Sequence, residues 1–141
     1  MTIEQMTVFV SYAHADSEWV IKNLLPRLEA ARLQTIIDFR DFKPGAMSIE
    51  EMERAVIESD YTVVVLSERY VQSEWCAFEN VMTQTLDPAA RRRRLIPLLY
   101  EKCDIPLRLR ILHFRDVTDD SDEQWRRFEN DLQSLSAGIS D

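Results

Sequence analysis

A chain of 141 residues with a formal net charge of −8, 45% hydrophobic and 30% charged, has the length of one domain and the balance of a folded globular protein. Its negative field repels phosphate backbones and anionic lipid, so nucleic acid and membrane are poor first partners. No apolar run approaches the ~18 residues of a membrane span, and no basic region followed by an apolar signal segment is present, so a cytoplasmic location is expected.

Thr7–Ser11 is a short apolar run of strand-favouring residues and predicts the first strand. Asp16 is placed to cap a helix whose Val20, Leu24, Leu28 and Ala31 recur at helical spacing, with a bend or break expected near Pro26, which lacks a backbone donor. Gln34–Ile37 predicts a second, short strand. Asp38–Met47, carrying Lys43, Pro44 and Gly45, predicts a loop of about ten residues, longer than most strand-to-helix connections. Ser48 and Glu51 form a capping box for a helix with Ile49, Met52 and Val56 on its apolar face.

Tyr61–Leu66 is apolar at every position after the first two, which suits a central parallel strand buried on both faces. Ser73–Leu86 carries Trp75, Phe78 and Met82 at helical spacing. Leu95–Leu99 follows as a buried strand that Pro97 places nearer an edge. Ile111–Phe114 predicts the last strand, and Ser121 with Gln124 caps a final helix with Trp125, Phe128, Leu132 and Leu135 on its buried face. Alternation of this kind predicts an α/β fold: a flavodoxin-like, doubly wound, five-stranded parallel sheet with helices on both faces. The basic run Arg91–Arg94 reads as a solvated connection into the fourth strand.

Ligands of such sheets bind beyond the carboxyl ends of the strands, which directs attention to Tyr12–His14, the Asp38–Met47 loop and Ser67–Gln72. The only glycines are Gly45 and Gly138, so neither a P-loop nor a dinucleotide fingerprint can be written, and no nucleophile elbow is present. Cys76 and Cys103 lack metal-ligand spacing and read as reduced, buried thiols; no metal site is expected. Trp75 and Glu79 stand four residues apart, so an indole and a carboxylate share one helix face. That pairing suits glycosidic chemistry, in which an anion stabilises an oxocarbenium-like ribosyl cation while a ring packs against a base. A phosphoacceptor receiver domain of similar strand order fails, because Tyr12-Ala-His14 replaces the acidic cluster after strand one and no lysine stands among His113–Asp116.

From Val8 to about Leu135 the chain resembles the Toll/interleukin-1 receptor (TIR) domain family, specifically its bacterial members. Val8–Tyr12 resembles the family's first strand, Asp38–Gly45 (Asp-Phe-Arg-Asp-Phe-Lys-Pro-Gly) the loop after strand two, and Ser59–Ser67 the third-strand block. Ser73–Glu79 (Ser-Glu-Trp-Cys-Ala-Phe-Glu) resembles the helix whose glutamate NAD⁺ cleavage depends on in enzymatic members. The resemblance implies a TIR domain over 1–136; the polar composition of 137–141 reads as a tail that would begin a linker to a further domain. It implies Glu79 as the catalytic residue, with Tyr12, His14, Phe39, Ser67 and Trp75 lining the substrate pocket. NAD⁺ is then a consumed substrate and no cofactor is needed.

The implied reaction is NAD⁺ glycohydrolysis or cyclisation, giving nicotinamide and ADP-ribose or a cyclic isomer, in anti-phage defence or as a secreted effector. Implied partners are other TIR domains, in a homo-oligomer or filament formed on activation, and a fused or separate sensor. Asp41, Phe42, Lys43, Pro44 and Gly45 are implied as the self-association loop. The rival reading is a non-catalytic signalling adaptor that uses the same surfaces only to bind other TIR domains.

Overall fold

Five short parallel strands organise the chain in a computed structural model that describes residues 6–37, 48–73, 75, 78, 94–110 and 114–138. They are β1 (Thr7–Ser11), β2 (Gln34–Ile36), β3 (Tyr61–Leu66), β4 (Arg94–Leu99) and β5 (Arg115–Asp116), in the order β2-β1-β3-β4-β5. Every pairing is parallel; Val10 lies opposite Val63 and Val64 opposite Pro97. This is the doubly wound order that alternation predicts, with β3 in the middle.

The alternation of side chains along β3 divides the interior into two cores. Val63 and Val65 join Val8, Val10, Leu24, Leu28, Phe128 and Leu132 on one face, while Val64 and Leu66 join Phe9, Ala55, Val56, Tyr70, Trp75 and Phe78 on the other. All four β3 side chains are fully buried, each contributing about 1.5–3 kcal/mol through removal from water. Helices therefore cover both faces. On the first lie α1 (Ser17–Trp19), a π-helical stretch (Val20–Leu24), α2 (Leu25–Ala30) and α6 (Asp122–Gly138). On the second lie α3 (Ser48–Glu58), α4 (Glu68–Ser73) and α5 (Leu107–Arg110).

The disturbance expected at Pro26 takes the form of the π-helical stretch just before it. Proline has no N–H and its ring crowds the carbonyl four residues back. The wider turn answers by carrying the Leu25 N–H to the Val20 carbonyl, while Asn23 Nδ2 donates to the Trp19 carbonyl at 3.2 Å and Arg27 Nη1 to that of Asn23 at 2.8 Å. At the other end Arg32, at φ 63°, closes a Schellman motif: its N–H donates to Glu29 and that of Leu33 to Leu28.

Three points differ from the sequence reading. A short helix, Glu68–Ser73, that the sequence reading did not include precedes the helix expected over Ser73–Leu86, because the Ser67 hydroxyl accepts the Tyr70 N–H and caps it; of that expected helix only Ser73, Trp75 and Phe78 are described, and all three are helical. Of the strand expected at Ile111–Phe114, residues 111–113 lie outside the described residues and Phe114 lies outside the ladder, 40% exposed; the described last strand is Arg115–Asp116, where Arg115 pairs with Leu98 and is held by Asp131 of α6. Pro97 lies in an inner strand, but just before the two β4 residues that pair with β5, so its missing donor falls where β4 has no described outer neighbour. Among the described residues no helix is long and apolar enough to cross a membrane.

Candidate functional site

The chain leaves β1 for one face of the sheet and β3 for the other, so the carboxyl ends of these neighbouring strands open a crevice between diverging connections. Its described walls are Tyr12–Asp16 after β1, Ser67 and the first turn of α4 after β3, and Tyr100–Asp104 after β4. The Tyr100 and Glu101 N–H groups both donate to the Leu66 carbonyl, at 3.0 and 3.3 Å, which holds the third wall against the second.

One buried carboxylate ties these walls together. Asp16, at the end of a 3₁₀ turn (His14–Asp16), accepts from Ser67 Oγ at 2.5 Å and from Arg69 Nε at 2.7 Å, with Arg69 Nη2 as a third donor. Arg69 also pairs with Glu101. These two carboxylates hold the guanidinium above the ordinary arginine range, Asp16 first. Beneath, the Ser11 and Tyr70 hydroxyls bond to each other at 2.7 Å. Buried polar groups are tolerated only when so paired, and among the described residues every buried side-chain nitrogen and oxygen has a partner. The expectation that Asp16 caps the first helix is therefore corrected: it makes no capping bond, because its oxygens are taken by donors more than 50 residues away.

Two clefts flank this network. One, of about 340 Å³, is lined by Asp16, Glu18, Trp19, Lys22, Arg69 and Tyr100, where Trp19 and Tyr100 stack with centroids 4.0 Å apart. Burial, aided by the charges of Glu101 and Asp16, pushes the Tyr100 phenol above its ordinary range and keeps it neutral. The other, of about 450 Å³, is lined by Glu68, Val71, Gln72, Lys102, Cys103 and Asp104. Burial first, then the charges of Asp104, Glu68 and Glu101, pushes the Cys103 thiol up, so that this half-buried group favours its protonated form. Among the described residues no cluster of three or more His, Cys, Asp or Glu is placed to hold a metal ion.

The structure sorts the residues expected to line the pocket. His14 is exposed at the mouth of the crevice. Ser67 is fully buried and its hydroxyl is occupied by Asp16 and the Tyr70 N–H, so it belongs to the floor and offers nothing to a ligand. Tyr12 is buried in the first core, and Trp75 is 7% exposed in the second, tilted against Phe78 at 6.1 Å. Glu79, Phe39 and the Asp41, Phe42, Lys43, Pro44 and Gly45 loop lie outside the described residues. What sequence reasoning missed is the Asp16, Arg69, Glu101 relay: the local signal at Asp16 is that of a helix cap, and only the fold brings its partners near.

A doubly wound parallel domain whose crevice is walled by the loops after its first, third and fourth strands is the class of protein this geometry defines. The TIR-domain family model matches residues 8–132, and the chain belongs to that family. Over 75 residues it is 41% identical to Toll-like receptor 6 of Dasypus novemcinctus and 40% identical to Toll-like receptor 1 of Homo sapiens, covering 53% of this chain and 10% of each receptor. Over 99 residues it is 32% identical to Toll-like receptor 4 of Rattus norvegicus, covering 68% of this chain and 12% of the receptor. The chain thus spans about a tenth of the length of these animal relatives. In structure it is similar to the TIR domain of the Toll-related receptor TRR-2 from Hydra magnipapillata, with a TM-score of 0.73 at 29% identity, covering 89% of this chain and 97% of that one. It is also similar to a metazoan TIR-STING receptor from C. gigas, with a TM-score of 0.65 at 25% identity, covering 92% of this chain and 39% of that one.

Proposed function

We propose that this TIR domain works by associating with other TIR domains, and that the associated form cleaves NAD⁺ between nicotinamide and ribose. The observation that carries the reading is the Ser73–Glu79 run, in which Trp75 is anchored in the second core and a glutamate follows four residues later. In this reading Glu79 stabilises the ribosyl cation as the bond from C1′ to the nicotinamide nitrogen breaks. Water then supplies a hydroxyl to C1′ and releases a proton, giving ADP-ribose, unless an intramolecular acceptor closes a ring. Asp41–Gly45 is assigned to the contact between copies, and a sensor on the same or a separate chain drives the association.

A second reading is favoured by two specific observations: the curated relatives are named as Toll-like receptors, and Tyr12, Ser67 and Trp75 are buried. In it the domain is an adaptor that binds other TIR domains without turnover. The measurement that separates the two is NAD⁺ loss over hours at high protein concentration with a crowding agent, wild type beside Glu79→Gln. Turnover in wild type, reduced at least about a hundredfold in Glu79→Gln, is the expected result. Association without loss of NAD⁺ in either protein establishes the adaptor.

A further inference from the structure

We propose that Asp16 is a positioning residue of the crevice: its buried carboxylate fixes the first turn of α4 against the loop after β1, and so sets where the helical residues beyond that turn stand. The Asp16 side chain is 1% exposed. An ion taken out of water at that depth is tolerated only when its oxygens are filled by donors, and here, among the described residues, those donors belong to Ser67 and Arg69, at the start of α4. Asp16 stands immediately before α1, where an aspartate ordinarily caps. Its carboxylate has been diverted from that local task to one that spans the crevice.

The diversion has mechanical consequences. By donating to Asp16, the Ser67 hydroxyl is oriented with a lone pair toward the Tyr70 N–H, which it accepts at 3.1 Å; the carboxylate thereby sets the rotamer of the helix cap. Tyr70 returns the connection by bonding to Ser11 at the end of β1. Arg69 extends it to Glu101 after β4. The loop bearing the exposed His14 and the helical turn leading to Trp75 are thus held in one arrangement from two directions. A misplacement of about 1 Å at a reacting centre can cost on the order of a hundredfold in rate, which is the leverage such a tie holds. The kinetic consequence rests on the NAD⁺-cleaving reading; the structural one does not.

The test compares wild type with Asp16→Asn, which keeps the shape and removes the charge, Ser67→Ala, which removes the hydroxyl between Asp16 and the Tyr70 N–H, and Leu132→Ala, which destabilises the opposite core. For each, hydrogen exchange of residues 67–73 is measured by mass spectrometry on the full chain, together with kcat and KM for NAD⁺ under associating conditions. Asp16→Asn is expected to speed exchange in 67–73 about tenfold while β1 and β3 stay protected. Its kcat is expected to fall about tenfold or more with KM little changed. Ser67→Ala moves both in the same direction, and Leu132→Ala, compared at equal loss of Tm, moves neither. The proposal is overturned if 67–73 exchange at the wild-type rate in both crevice variants, if exchange quickens while kcat holds, or if Leu132→Ala reproduces the pattern. Where wild type itself turns over no NAD⁺, the functional reading fails and the exchange measurement alone decides the placement of α4.

Discussion

Cys103 shows how a residue's chemistry follows from its neighbours. Burial disfavours its thiolate, and Asp104, Glu68 and Glu101 add to the effect. A raised pKa leaves the thiol protonated at neutral pH, so iodoacetamide is expected to modify Cys103 more slowly at pH 8 than a free cysteine. The rate should climb through a midpoint above the ordinary value of about 8.5. Peptide mapping by mass spectrometry across a pH series checks this, and a plateau below pH 8 would show that neither burial nor the carboxylates raise the thiol. The same scale is where sequence reasoning runs out. Tyr12 and Ser67 follow the first and third strands and Trp75 shares a helix face with Glu79, and the family resemblance implies all three in a pocket wall; how far each is buried is decided by packing across the sheet, and all three are buried. Asp16 was legible only as a cap because its partners lie 51 and 53 residues away, beyond any local signal.

Elements were more legible than residues. β3 was readable as central because five of its six residues are buried, and a run without alternation has no other home in a parallel sheet. The cap of α6 was readable as well: the Ser121 hydroxyl accepts the Gln124 N–H at 3.2 Å, while Gln124 Oε1 accepts the Asp119 N–H at 3.0 Å in place of the reciprocal bond of a full capping box. Ser121→Ala is therefore expected to cost about 1 kcal/mol, lowering Tm by a few degrees without changing the fold, as calorimetry with far-ultraviolet circular dichroism can check. Loss of the helix signal from α6 would mean that the cap does more than satisfy one donor. The short elements resisted reading. α5 has four described residues and β5 two, too few for any periodicity, and β5 is set by pairing with Leu98 and Leu99 and by Arg115 meeting Asp131.

At the scale of the molecule, the net charge of −8 acts against the association that the functional reading requires. Screening shortens from about 10 Å at 0.1 M salt to about 3 Å at 1 M, so self-association is expected to tighten as sodium chloride rises, and sedimentation velocity across a salt series measures it. Weakening with salt would instead reveal complementary charge at the contact. The shared middle strand has one more consequence. Since Val63 and Val65 serve one core and Val64 and Leu66 the other, neither hydrophobic cluster owns a separable stretch of chain. Melting either face removes the backbone on which the other is built, so the two halves of the interior are expected to melt in one transition, distinct from the local openings of residues 67–73 at the crevice.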